Sequence, residues 1–452
     1  MTAGGKAQLS NRTWVLIVLS IVYFVNFLDR SIIYVVQEQI KADFQLTDQQ
    51  VGLLGGTAFG LLYGAMGIPL ARLAERWNRR NIVIFAVTAW SVVTGLCGFC
   101  QNYLQLLLAR AGVAIGEAGG TPPSHSIISD YFPANRRATA LALYTLAVPT
   151  GIMMGTMIGG WLASRFGWQK TFMILAVPGI LAALLLTTIK EPPRGHSDAL
   201  IEDGAAPSFG EVVRHALRER AYVNVVIGSG IAAFAAYGVQ SFTTAFLLRN
   251  FSMDLASAGL AFGLIFGLGS GIGTVVGGIW VDRAAERDVR MRGWLPAIFL
   301  AATGPMFMLG YAQSNSMVAI AILFLAGVLS FMHQGASYGV IQNSFPPRMR
   351  ATGVAAAFMA QALIGLGLGP LVMGMLSDHF AAAAYAGQSF SADCVGAGGV
   401  ATACKVASAQ GLRLALIIVA GAFVIAALYY WRVAAHIGRN TGGKPAAEEG
   451  IA

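Results

Sequence analysis

Long apolar stretches separated by short polar segments make up most of the sequence. Twelve stretches have about 20 residues or more, the helix length that crosses a ~30 Å hydrocarbon core. Because backbone groups in lipid must bond within the chain, the pattern predicts an all-α membrane protein and not a β-barrel. The predicted transmembrane helices are 13–38, 49–71, 81–100, 103–129, 138–163, 170–189, 221–247, 256–281, 294–312, 317–344, 351–376 and 409–434.

Composition and charge agree with this pattern. Hydrophobic residues make up 56% of the 452 and charged residues 11%, against roughly 45–50% and 25% in soluble proteins. With the N-terminus inside, the inner segments hold 22 of the 30 Lys and Arg residues and the outer loops hold 5, which predicts that both termini are cytoplasmic. The net charge of +9 is explained by a basic inner rim beside anionic lipid, so no nucleic-acid partner is predicted. Short termini and compact loops favour a bacterial inner membrane.

Two pairs of loop motifs indicate an internal duplication. ARLAERWNRR (71–80) returns as GIWVDRAAERDVR (278–290), and FPANRRATA (132–140) returns as FPPRMRATG (345–353), at nearly the same offset along the chain. Two parallel repeats around a central cavity are a transporter architecture. The predicted organisation is a cytoplasmic tail at 1–12, a six-helix bundle at 13–189, a cytoplasmic linker at 190–220, a second six-helix bundle at 221–435 and a cytoplasmic tail at 436–452.

The same motifs resemble a known family. The loop LAERWNRR (73–80) is similar to a signature of the major facilitator superfamily, although Glu75 and Asn78 stand where Asp and Gly are usual. RAGVAIGEAGG (110–120), followed by DYFPANRRA (130–138), resembles the signature of its spans 4 and 5. NFLDR (26–30) together with GEA (116–118) further resembles the spinster-like branch, whose animal members move sphingolipids and lysophospholipids. The resemblance implies a secondary transporter in which spans 1, 4, 7 and 10 line the central cavity.

Four charged residues lie within spans 1 and 4. A charge at the centre of a membrane helix costs about 2.5–3.5 kcal/mol on insertion scales and normally faces inward for a functional reason. Counted along a helix from the outer ends of their spans, Asp29 and Glu117 both lie near mid-membrane, and we predict that they couple transport to protons. Arg30 and Arg110 are predicted as their charge partners or as ligands of the substrate head group. A static ion-pair cluster that fixes span 1 to span 4 is the alternative.

The predicted function is proton-coupled transport by alternating access of an amphipathic lipid of the sphingolipid or lysophospholipid type. Protonation would weaken the ion pairs and shift the balance between inward-open and outward-open states. A small organic anion (carboxylate) or a drug is the alternative substrate. The sequence contains no H-E-x-x-H, G-x-S-x-G or Walker-type motif, so no enzyme activity is predicted. We expect a monomer driven by the proton gradient, without cofactor or metal.

Polar side chains recur along the spans that the resemblance places at the cavity. In hydrocarbon such groups also serve to hold helices together by hydrogen bonds, and both roles stay open. The predicted cavity residues are Thr121 and Ser124 on span 4, Tyr237, Gln240 and Ser241 on span 7, and His333, Gln334 and Tyr338 on span 10.

Charged residues at the inner ends of the spans are candidates for a cytoplasmic gate, in which ion pairs close the inner side and break on opening. The alternative is that positive residues only fix the topology. The predicted gate residues are Glu75, Arg76, Arg79, Arg80, Arg136, Asp282 and Arg283.

The four cysteines fall into two pairs. Cys97 and Cys100 lie in span 3 and are predicted to be small core residues. Cys394 and Cys404 lie in the outer loop 377–408, where an oxidising exterior permits a disulfide. Two free thiols are the alternative for this second pair.

Overall fold

The elements of the computed structural model are helices, and the structure describes residues 12–193, 209–387, 389–395 and 402–440. In chain order they are α1 (Arg12–Ser31), α2 (Ile33–Phe44), α3 (Asp48–Gly52), α4 (Ala58–Arg76), α5 (Arg79–Cys97), α6 (Tyr103–Ala118), α7 (Thr121–Tyr131), α8 (Ala134–Thr145), α9 (Ala147–Leu186), α10 (Phe209–Arg218), α11 (Arg220–Phe251), α12 (Leu255–Phe262), α13 (Gly269–Ala285), α14 (Met291–Ala312), α15 (Ser316–Phe331), α16 (Gln334–Asn343), α17 (Pro347–Gln361), α18 (Gly369–Ala384), α19 (Phe390–Cys394), α20 (Thr402–Ala420) and α21 (Ala422–Asn440).

Ten helical runs in the described ranges are long and apolar enough to cross a membrane. One of them, Thr139–Leu186, extends over both predicted spans 5 and 6, and it contains Gly167 with a φ of 78°. Glycine adopts this left-handed region without strain, so the chain turns there between two helical stretches. The predicted all-helical fold is confirmed, and the count of twelve spans stays a prediction.

The predicted fourth span is interrupted. Helix α6 ends at Ala118, Gly119 and Gly120 form a turn, and α7 begins at Thr121. Pro122 and Pro123 follow in the first turn of α7, where an amide N–H would have no partner within the helix. The two prolines therefore fit the start of a new helix inside an otherwise apolar segment.

The described residues divide into two units by packing. The first unit contains 12–44, 58–193 and 254–263, and in it α9 packs along α1, α5 and α12. Gly155 allows α9 to approach α1 closely, because a Cβ there would lie 2.6 Å from the Leu28 carbonyl oxygen. Helix–helix association in lipid depends on such close packing by small residues.

The second unit contains 45–57 and the described residues of 209–253 and 264–440. In it α11 and α14 pack against α21, and α18 packs against α20 and α3. Gly52 and Gly56 lie directly against Pro370 at the start of α18, where a Cβ on either glycine would collide with the proline.

A buried ion pair also holds α3 within the second unit. The two terminal guanidinium nitrogens of Arg249, Nη1 and Nη2, each donate to the Asp48 carboxylate at 2.7 Å. Ser377 Oγ donates to the same carboxylate at 2.6 Å. The Asp378 carboxylate accepts the backbone N–H groups of Asp48 and Gln49 at 3.0 and 2.8 Å. Asp48 is 2% exposed, so its charge depends on these partners.

Three segments within the described ranges are π-helical, with the wider i→i+5 turn that is rare in proteins and frequent at functional sites. They are Leu53–Thr57, Gly263–Leu268 and Ala362–Leu368. The first two are separated along the chain by nearly the same offset as the repeated loop motifs. The predicted internal duplication would account for this spacing.

Candidate transport site

The structure brings the charged residues of α1 and α6 together in the first unit. Arg30 Nε and Nη2 both donate to Glu117 Oε2, at 2.9 and 2.6 Å. The Glu117 side chain is fully buried, whereas the Arg30 side chain is 12% exposed. A buried charge-assisted pair is strong only while both partners stay ionised. The pair thus joins predicted span 1 to span 4 through a bond that a proton on Glu117 would weaken.

Asp29 lies beside this pair and is held from α5. Thr94 Oγ1 donates to Asp29 Oδ2 at 2.6 Å, and Asp29 is 2% exposed. Within the part of the chain that the structure describes, Asp29 Oδ1 and Glu117 Oε1 accept no hydrogen bond. Each buried carboxylate therefore keeps one oxygen to which a proton can add without displacing a protein partner.

Arg110 completes the charge cluster from α6. It is 1% exposed, and its Nε and Nη1 have no hydrogen-bond acceptor among the described residues. Its Cζ lies 5.3 Å from the centre of the Phe59 ring. A buried guanidinium with unused donors is costly, so this arrangement is suited to a group that receives another anion.

Three aromatic rings surround the Arg30 guanidinium. The Arg30 Cζ lies 5.0 Å from the ring centre of Phe27, 4.9 Å from that of Phe59 and 4.7 Å from that of Tyr63. Such distances permit attraction between the cation and the ring faces. We name Phe27, Phe59 and Tyr63 the aromatic cage.

Sequence reasoning missed Thr94 and the aromatic cage. A threonine in an apolar span is common and usually bonds to its own helix, so its residue type carries no signal. Phe59 and Tyr63 lie on α4, in a span that was not expected to line the cavity. Their spacing of four residues places both on one helix face, which was the available sign of a shared role.

The predicted polar residues of span 4 both lie just after the interruption. Thr121 is the first residue of α7, and Ser124 Oγ donates to the Gly120 carbonyl oxygen at 2.8 Å. Ser124 therefore gives a side-chain partner to a carbonyl at the break in the helix.

The predicted polar residues of the second unit lie on α11 and near or on α16. Ser241 Oγ donates to the Tyr237 carbonyl at 2.7 Å, and Gln240 is buried at 7% exposure. His333 precedes α16, and Gln334 is its first residue. The Tyr338 ring stands edge-on to the Phe358 ring, with centres 5.2 Å apart.

His333 belongs to a buried polar network that extends to α21. Ser337 Oγ donates to the His333 carbonyl at 2.7 Å and also hydrogen-bonds the Tyr430 hydroxyl. The His333 ring stands edge-on to the Tyr430 ring, and its Nδ1 has no partner among the described residues. Tyr430 was not predicted because span 12 was not expected to line the cavity. The network holds helices together and leaves one imidazole nitrogen for a further contact.

Among the predicted gate residues, Arg79 is buried inside the first unit. It is 3% exposed and pairs with Asp130 at 2.5 Å and with Glu191 at 2.7 Å. Its Nη2 also donates to the Pro192 carbonyl at 2.9 Å. These contacts tie the start of α5 to α7 and to the segment after α9.

The other predicted gate residues whose side chains the structure describes are more accessible. Arg80 Nη1 donates to the Ile189 carbonyl at 3.0 Å. Glu75 lies on α4, and its side chain is outside the part that the structure describes. The side chains of the remaining predicted gate residues are exposed, namely Arg76, Arg136, Asp282 and Arg283.

Cys394 and Cys404 form a disulfide, the first of the two alternatives for this pair, whereas Cys97 and Cys100 are free. We expect alkylation of the denatured protein to label two thiols without reductant and four after reduction, counted by intact-mass spectrometry. Cys394→Ser should raise the unreduced count to three. Four labelled thiols without reductant would contradict the disulfide.

Comparisons with known proteins identify the family of the chain. A family model described as Major Facilitator Superfamily matches residues 19–370. A crystal structure of a bacterial homologue of the human lysosomal transporter Spinster, inward-facing and unoccupied, is 33% identical and has a TM-score of 0.84, with 95% of this chain and 98% of that chain covered.

Two curated relatives match most of the chain. An MFS-type efflux pump of Mycolicibacterium smegmatis is 31% identical over 95% of this chain and 94% of its own. Protein spinster homolog 1 of Xenopus tropicalis is 26% identical over 81% of this chain and 73% of its own. With its apolar helices and buried charge cluster, the chain belongs to the spinster-like branch of the major facilitator superfamily and is an integral membrane transporter, not an enzyme.

Proposed function

We propose that the protein is a proton-coupled secondary transporter that moves an amphipathic lipid of the sphingolipid or lysophospholipid type by alternating access. It acts as a monomer of twelve spans in a bacterial inner membrane, with both termini in the cytoplasm. The observation that carries this proposal is the buried Arg30–Glu117 pair beside Asp29, in which each carboxylate keeps an oxygen without a partner among the described residues. Intramembrane carboxylates of this kind are typical of proton relays.

The site couples transport to protons because protonation weakens its ion pairs. A proton on Glu117 removes the negative charge that holds Arg30, so the bond between α1 and α6 weakens. Protonation of Asp29 acts in the same direction, since it removes the second carboxylate charge from the cluster. The free-energy difference between the inward-open and outward-open states then changes by the lost pairing energy. The populations of the two states shift as a result.

The lipid substrate is supported by the spinster resemblance and by the residues present. Arg30 and Arg110 supply donors that suit a phosphate-bearing head group, since guanidinium groups bind such oxygens well. Aromatic rings at the same place offer an apolar surface beside the charges. An amphipathic molecule with an anionic group matches this combination.

A drug or another small organic anion is the second candidate. The similarity to an efflux pump over 95% of this chain favours it, because the same charge cluster serves any anionic or protonatable cargo. The protein would then take up the soluble acid or the drug and would not move lysolipids.

The test is uptake of a fluorescent lysophospholipid into proteoliposomes with and without an imposed pH gradient. We expect the gradient to stimulate flux in the native protein and to have no effect in Asp29→Asn. Asp43→Asn is the matched control, because Asp43 lies near the end of α2, is exposed, and accepts a hydrogen bond from Trp168 at 2.7 Å. If Asp29→Asn retains gradient-driven lipid flux, the coupling role of Asp29 is refuted. Absence of lipid flux in the native protein would favour the second candidate.

A further inference from the structure

The aromatic cage poses a question that the proton relay does not answer. Arg30 already has two hydrogen bonds to Glu117, yet three rings from α1 and α4 also stand within 5.0 Å of its Cζ. The rings add an attraction for Arg30 that does not depend on the charge of Glu117. The rings do matter in the state in which Glu117 is protonated.

Ring faces and carboxylates hold a cation by different means. The attraction to a ring comes from its permanent quadrupole, which no proton alters, and it strengthens when water is excluded. A carboxylate loses its attraction once it is protonated. When Glu117 takes up a proton, the aromatic cage therefore still attracts Arg30, while the Nε and Nη2 donors that bonded Glu117 become available.

We propose that the aromatic cage positions Arg30 as an anion receptor, so that a proton on Glu117 and an anionic group of the substrate bind together. The inference rests on the proposed function, and it deepens that function by assigning the substrate a phosphate or carboxylate and the transport mode a symport. Phe27, Phe59 and Tyr63 are positioning residues, since they act through Arg30.

The charges of the cluster support the binding of one anion for each proton. Among the described residues, the groups that face the cluster include Asp29 and Arg30 from α1, Tyr63 from α4, the Cys97 thiol from α5, and Arg110 and Glu117 from α6, and Tyr144 of α8 interacts with Tyr63. With both acids ionised the cluster is neutral, and one proton leaves it with a single positive charge. An uncompensated buried charge is costly, so one singly charged anion is favoured for each proton.

The test measures binding to the full chain in nanodiscs without any gradient. The probes are a fluorescent lysophosphatidylglycerol, which keeps one negative charge from pH 5 to 8, and an uncharged monoacylglycerol with the same chain. Glu117→Gln mimics the protonated state permanently. We expect the native protein to bind the anionic probe more weakly as the pH rises, and Glu117→Gln to bind it tightly at every pH.

The role of the cage is tested in the Glu117→Gln background, where the carboxylate no longer holds Arg30. Adding Tyr63→Leu or Phe27→Leu should weaken binding of the anionic probe roughly tenfold, as expected for loss of one desolvated ring. Tyr63→Phe is the matched control, since it keeps the ring, and it should bind as the background does. Binding of the uncharged probe should weaken far less than binding of the anionic probe in Tyr63→Leu and Phe27→Leu.

Several results would overturn the inference. Equal weakening of both probes by Tyr63→Leu would mean that the ring only packs, and pH-independent anion binding by the native protein would remove the link to the proton. Benzoate, a short carboxylate, is also tested as a competitor of the anionic probe. If benzoate displaces this probe at low pH, the site binds a free anion in place of a lipid head group. Because no gradient is applied, failure here leaves the uptake experiment as a separate test of proton-driven flux.

Discussion

Arg79→Gln is expected to destabilise the first unit by about 3–5 kcal/mol, the usual cost of breaking a buried ion pair from one side. Arg79 is 3% exposed and Asp130 is 6% exposed, so the substitution leaves a carboxylate in a poorly solvated place. It also removes the bonds that tie the start of α5 to Glu191 and to the Pro192 carbonyl.

Thermal unfolding of the purified protein in detergent measures this effect. Arg76→Gln is the matched control, because Arg76 lies three residues earlier and is exposed, and it should change stability by less than about 0.5 kcal/mol. The double variant Arg79→Gln/Asp130→Asn should be more stable than Arg79→Gln alone, since no unpaired charge is left at Asp130. Equal stability of Arg79→Gln and Arg76→Gln would show that the pair does not support the fold.

A loss of similar size is expected in the second unit for Asp48→Asn or Arg249→Gln. Asp48 is 2% exposed and receives both Arg249 nitrogens and Ser377 Oγ, so either substitution leaves a buried charge without its partner, at about 3–5 kcal/mol. Because the double variant leaves no unpaired buried charge, it should be more stable than either single variant and not additively worse.

The double-mutant cycle is measured by the same unfolding assay. Arg287→Gln is the matched control for Arg249→Gln, because Arg287 is exposed in the same unit. Additive losses in the double variant would contradict a direct coupling between Asp48 and Arg249.

The sequence predicted the features that depend on local pattern. Long apolar runs can only be helices in lipid, and charges within them are rare enough to mark a site, so Asp29, Arg30, Arg110 and Glu117 could be selected from residue type and position alone. Which acid pairs with which arginine depends on helix rotation, and the pattern left this open. The structure assigns Arg30 to Glu117 and Thr94 to Asp29.

Long-range partners account for most of what the sequence did not predict. Asp48 has the pattern of a loop acid between two spans, and its burial follows from Arg249, 201 residues further along the chain. Arg79 has the pattern of a surface gate residue, yet its partners Asp130 and Glu191 are 51 and 112 residues away and enclose it. No periodicity within a single span carries this information.

The interruption of span 4 has a sign in the sequence, because Pro122 and Pro123 cannot continue the hydrogen-bond ladder of a helix. The structure places the turn at Gly119 and Gly120, immediately before the prolines. The first turn of a helix tolerates proline, so the prolines lie just inside the start of α7 and the glycines just past the end of α6.

The two π-helical segments that start at Leu53 and Gly263 change which residues share a helix face. A π turn holds one residue more than an α turn, so the side chains after it lie on a different face than an uninterrupted α-helix would give them. A periodicity of 3.6 residues that is read through either segment therefore assigns the residues beyond it to the wrong face of the helix.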